Sequence, residues 1–165
     1  MRSRDVVRRL FSQNPQVKTG ILGLVCFEAF AASASAEPTV VVLTQVPCQF
    51  LESENGVDRG FMTQKKSDCE AVNRKSGGAR VHQSGAMALK VGDYIFRVTN
   101  RNVPYQLGFW LCGDGLLNRG GLPGVSGGGL TIGKTQDYKV ALKPGEYVYS
   151  CPLNSTPDYK LVVEG

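Results

Sequence analysis

The sequence predicts a single all-β domain. Two observations carry this reading. Short runs rich in β-branched and aromatic residues alternate apolar with polar positions. Between them, turn signals recur about every 8–12 residues, the spacing of a sandwich or a barrel. No internal repeat competes with that reading.

The elements follow in order. TVVVLTQV (39–46) is a β-branched run and reads as the first strand. Residues 49–86 are polar and rich in Gly, Ser and Lys, an insert with little apolar periodicity. Within it, DCEAVNRK (68–75) suggests a short helix and NRKSGGAR (73–80) a loop. MALKVGDYIFRVTN (87–100) reads as strand, Gly-Asp turn, strand, with Tyr94, Phe96 and Val98 on one face. YQLGFWL (105–111) is a further strand, with Phe109 directed to the core and Trp110 to the opposite face. LLNRGGLPGVSGGG (116–129) reads as a glycine-rich loop, a segment type that often carries binding over a rigid scaffold. LTIGKTQDYKVAL (130–142) holds one or two strands, and EYVYS (146–150) and YKLVVEG (159–165) close the chain after a Pro-Gly turn.

The first 36 residues read as a secretory leader. A basic start is followed by the apolar run ILGLVCFEAFAASA (21–34) and by Ala34-Ser35-Ala36, a small-x-small triplet that places cleavage between Ala36 and Glu37. The run is too short for a stable membrane span. The other reading is an amphipathic helix that stays on the protein. Val25 before Cys26 argues against lipidation. Export places the chain in the periplasm, an oxidising compartment where thiols pair. The net charge of +5 falls to +2 once the leader is removed, so it gives no nucleic-acid footprint.

No Walker loop, HExxH or GxSxG occurs, and Ser126 in GVSGG has no following helix to make it a nucleophile elbow. No general base stands beside a nucleophile, so an enzyme is not expected. Glu52, Glu54, Asp58, Lys65 and Lys66 in the insert read as a solvated loop surface or a docking patch. Past the leader four cysteines remain, Cys48, Cys69, Cys112 and Cys151, which allow three pairings.

The stretch MALKVGDYIFRVTNRNVPYQLGFWL, followed by ALKPGEYVYSCPLNSTPDYKLVVEG, resembles the cupredoxin pattern, and most of all the cupredoxin-like domain of EfeO-type periplasmic proteins. The resemblance covers residues 87–165 and takes 39–46 as the first strand. It implies a Greek-key β-sandwich or barrel with a polar insert after that strand. It also implies a copper or electron-transfer role, with an envelope protein or redox partner. Type 1 copper takes two imidazoles, a thiolate and a weak axial thioether. By that pattern Cys151 stands at the thiolate position, whereas Tyr105 fills the first His position and the residues after Cys151 include neither His nor Met. A non-standard site would draw on Cys151 and His82, the sole histidine, with Met62 or Met87 as helpers. The alternative is a metal-free module in which Cys151 is structural. Azurin-type members carry an N-terminal disulfide of similar span, so Cys48–Cys69 is the expected pair. Closing a loop of that size contributes roughly 3 kcal/mol. On the same template Cys112 lies about 23 Å along the strand from position 105 and stays unpaired.

Overall fold

The computed structural model describes residues 37–165. The leader and the cleavage site expected between Ala36 and Glu37 lie outside the described residues, which begin at Glu37. Among the described residues nine strands form two sheets. The first has the order β2 (Gln49–Phe50), β1 (Thr39–Val46), β4 (Gly92–Asn100), β7 (Thr135–Leu142). The second runs β3 (Met87–Lys90), β9 (Tyr159–Glu164), β8 (Gly145–Ser150), β5 (Leu107–Gly113), β6 (Val125–Leu130). The chain crosses between the sheets on leaving β2, β3, β4, β6 and β7. This is the all-β sandwich with a helical insert that the sequence predicts.

Alternation places the side chains. On β4, Tyr94, Phe96, Val98 and Asn100 are buried, while Arg97 is exposed beside Asp137 of the antiparallel β7, its guanidinium donating to that carboxylate at 2.8 Å. β1 lies parallel to β4 with Thr39 opposite Tyr94. The core between the sheets is strongly aromatic. Phe109 stacks on Phe96 at 5.4 Å, tilts against Tyr138 at 5.1 Å and meets Phe50 edge-on at 6.2 Å. Tyr149 stacks on Tyr159 at 5.6 Å. Offset and edge arrangements of this kind add to the burial of apolar area.

Two sequence expectations give way in the helices. The insert forms one helix, α1 (Lys66–Ser84), so the short helix expected at 68–75 and the loop at 73–80 are one element. Its start is set by Asp68, whose carboxylate accepts the main-chain N–H groups of Gln64 and Lys65 at 2.9 and 3.1 Å. Its end is Gly85, in a left-handed conformation and donating to the Val81 carbonyl. Cys69, Gly77 and Arg80 form the buried stripe, with Asn73 on the same face. At Gly77 a Cβ would approach Pro157 to 3.2 Å, so the glycine permits close packing of helix on loop. The stripe has helical spacing, but its members are small or polar, so apolar periodicity does not reveal it. The glycine-rich segment expected as a loop at 116–129 holds α2 (Gly115–Gly121) and most of β6.

Candidate functional site

Cys151 directly follows the end of β8 and is fully buried. Its sulfur accepts the main-chain N–H of Asn154 at 3.3 Å and that of Gly108, across on β5, at 3.5 Å. Burial pushes the thiol pKa up, and the N–H groups of Gly108, Asn154 and Leu153, with the Gln45 side chain, pull it partly back. The net shift is upward, so the thiol is protonated at neutral pH.

Asn154 organises the surroundings. Its Oδ1 accepts the Cys48 N–H at 3.0 Å and lies 3.5 Å from the Cys69 sulfur, while its Nδ2 donates to the Val46 carbonyl at 2.9 Å. Gln45, equally buried, donates its Nε2 to the Gly108 carbonyl at 2.7 Å. Cys48 and Cys69 are joined by the expected disulfide, with Cα atoms 4.8 Å apart. Cys48 holds a left-handed backbone, φ 67°, uncommon for a residue with a side chain. One asparagine therefore ties β1, the disulfide and the Cys151 loop together. Tyr105 packs against the core, and its hydroxyl lies 3.1 Å from Thr63 Oγ1 and 3.9 Å from the Cys69 sulfur. It covers the disulfide at the place where the resemblance expects an imidazole.

The other expected ligands are not brought to this point. His82 is exposed in the last turn of α1, 13 residues beyond Cys69. At 1.5 Å per residue that is about 20 Å along the helix. Met62 is 86% exposed, and Met87 sits on β3 opposite Leu161. Among the described residues no group of three His, Cys, Asp or Glu is placed to hold a metal ion. The nitrogens beside the sulfur are N–H donors and committed carboxamides, which offer copper no lone pair. The structure thus does not bring His82 to Cys151, and no metal-binding group is seen among the described residues.

A second buried polar cluster locks the insert to the sandwich. Glu54, in the 3-10 turn Glu52–Glu54, is 2% exposed. Its Oε1 accepts Arg80 Nη1 at 2.8 Å and the Tyr159 hydroxyl at 2.7 Å, and its Oε2 accepts Arg59 Nε at 2.8 Å. Arg80, 3% exposed, also donates to Asn73 Oδ1 and lies over the Phe61 ring at 5.1 Å. Asn73 in turn donates to the carbonyls of Cys48 and Ser155. Burial and the Glu54 carboxylate raise the Tyr159 pKa, and burial pushes Tyr149 up to about 12. The insert charges expected as a solvated surface thus include a buried ion pair. No sequence signal marks it, because its partners lie on separate elements.

A third feature is open to solvent. An apolar cleft of about 410 Å³ lies on the outer side of β5 and β6, walled by Trp110, Pro152 and Leu153 and floored by Gly108, Gly127 and Gly128.

No protein-family model matches the chain, and neither does any curated protein. Solved structures similar to it include auracyanin B, 12% identical over 79% of this chain and 93% of that one, TM-score 0.47. Rusticyanin in its reduced form is 14% identical over 79% and 83%, TM-score 0.41. A reduced Cu(I) form of amicyanin is 18% identical over 82% and 90%, TM-score 0.37. At these values no site residue is carried across.

Proposed function

We propose that this chain is an exported, metal-free cupredoxin-like module of the cell envelope that works by binding a protein and not by moving electrons or metal. One observation supports it above the rest. At the position where the family pattern has a copper thiolate, the Cys151 sulfur is buried beneath main-chain N–H donors and beside the spent carboxamides of Gln45 and Asn154. Those groups fill the space with satisfied hydrogen bonds, and the disulfide and Tyr105 close it from the insert side. The site then serves as a joint that holds the loop 151–158 against α1, and the exposed surface does the recognition. The periplasm is the proposed location, on the strength of the leader.

The copper reading, with electron transfer or metal trafficking as its role, keeps one supporting observation: N–H donors aimed at a sulfur also suit a thiolate. Titration with Cu(II) in visible light separates the two. The expected result is no intense thiolate-to-copper band in either the native protein or Cys151→Ser. Such a band in the native protein, lost in the variant, would overturn the metal-free reading. Titration with a Cu(I) chelator in competition completes it, with equal copper retention by the two proteins as the expected result.

A further inference from the structure

α1 is attached to the sandwich in a way that no strand shares. It buries only Cys69, Gly77 and Arg80, and its main contact with another element is with the short 3-10 turn Glu52–Glu54. Of its apolar side chains only Val81 packs against the core, and that one in part. The rest of the core is supplied from outside α1, so the two sheets close on their own apolar faces. One covalent bond holds the helix, Cys48–Cys69, together with a few polar contacts: Asn73 with the carbonyls of Cys48 and Ser155, and Arg80 with Glu54. Buried polar contacts of this kind add little net stability, since water serves both partners well once they part. Gly77 and Gly78 stand side by side in the helix interior, a pair that weakens a helix left to itself. Beneath α1 lies the Cys151 end of the domain. Pro157 faces Gly77, the Ser155 carbonyl accepts from Asn73, and Asn154 lies against the Cys69 sulfur.

We propose that α1 is a strap and that the Cys48–Cys69 bond is its latch. With the bond in place the strap stays down. Without it, α1 lifts from a sandwich that remains folded, and the Cys151 thiol is uncovered. The latch closes by thiol–disulfide exchange with a disulfide oxidant. One thiolate of the pair attacks the oxidant's disulfide, forms a mixed bond and frees one of its thiols. The second thiolate attacks the mixed bond, frees the other thiol and leaves Cys48–Cys69. Two electrons and two protons pass from the cysteines to the oxidant. Both sulfurs are fully buried once the strap is down, so the closed strap shields its own bond from reductants. The state is therefore set in the open chain and kept in the closed one. The cysteines are 21 residues apart, and freeing a loop of that size favours the opened insert by about a hundredfold.

Amide hydrogen exchange read by mass spectrometry tests it on three samples of the full chain. They are the native disulfide-bonded chain, the same chain unfolded and refolded in dithiothreitol, and Cys48→Ser/Cys69→Ser. In the two unbonded samples the amides of 66–84 should exchange at least about a hundredfold faster than in the native chain and approach the rates of an unstructured peptide. Those of β4, β5 and β9 should stay protected in all three. N-ethylmaleimide should label Cys151 in the unbonded samples and spare it in the bonded chain. Oxidised glutathione added to the reduced chain should return α1 to slow exchange. An α1 that stays protected without the bond would overturn the inference, because the disulfide would then be a passive staple. Strands that lose their protection along with α1 would overturn it too, because insert and sandwich would then open as one unit. So would an α1 that exchanges fast in a chain whose mass shows the Cys48–Cys69 bond. No reading here involves copper or a partner, so the titration above fails or succeeds separately.

Discussion

Among the described residues two thiols are free, and their surroundings separate them. Cys112 is half-buried on the outer face and Cys151 has no exposed surface. A thiol reagent applied to the folded protein should label Cys112 and leave Cys151 untouched until denaturant is added, as peptide mass spectrometry would read. Rapid native labelling of Cys151 would show that the joint opens. The same burial has a consequence for stability. A raised thiol pKa in the folded state means that the unfolded chain ionises first as pH rises. The contribution is complete below the unfolded thiol pKa of about 8.5 and is lost as pH climbs through the higher folded value. In a Cys112→Ser background, the urea midpoint should therefore fall as pH rises above about 8.5, and Cys151→Ser should flatten that fall. A slope unchanged by Cys151→Ser would mean the thiol is not the titrating group. Cys151 and the Cys48–Cys69 pair were legible in the sequence because cysteines are few and their spacing is informative. Asn154 was not, since its contacts reach 106 residues back to Cys48.

At the scale of elements, α1 is the least legible part of the chain. A helix is read from an apolar stripe, and this one turns Cys69, Asn73, Gly77 and Arg80 inward. Disulfide, close packing and a buried ion pair hold it where apolar area usually would. Removing one member of a buried pair strands the other charge, at about 3–5 kcal/mol. Glu54→Ala and Arg80→Ala should each approach that loss in urea unfolding. Glu54→Gln/Arg80→Met, which keeps volume and removes both charges, should be milder than either. Strict additivity of the singles would show that the pair is not coupled. The strands are the opposite case. β1, β8 and β9 lie within a residue of their expected bounds, because their alternation is written in apolar side chains, and β4 takes in Gly92 and Asp93, the pair expected as a turn. The exceptions are β2, two residues at the start of the expected insert, and β6, Val125–Leu130, where three glycines in six residues leave no pattern to read.

For the molecule as a whole, the two-sheet architecture was legible and the filling of its polar end was not. Inward faces are a sum of local choices, whereas Gln45, Cys151 and Asn154 meet only once the sheets have closed. The described residues lie in one compact unit with a continuous core from Leu43 to Val163. Residues 37–165 produced alone should therefore unfold in one cooperative transition, with tyrosine fluorescence and far-ultraviolet dichroism coincident. Separate transitions would show that the insert is a unit of its own. The parallel pairing of Thr39 with Tyr94 also sets an order in time. Apart from the two-residue β2, the earliest strand of the domain has no neighbour until the whole insert and β3 have been made. Closing such a span slows folding, and the Cys48–Cys69 link shortens the span once it forms. For a chain that emerges N-terminus first, oxidation of that pair becomes a clock: it gathers the insert while β1 still waits for β4.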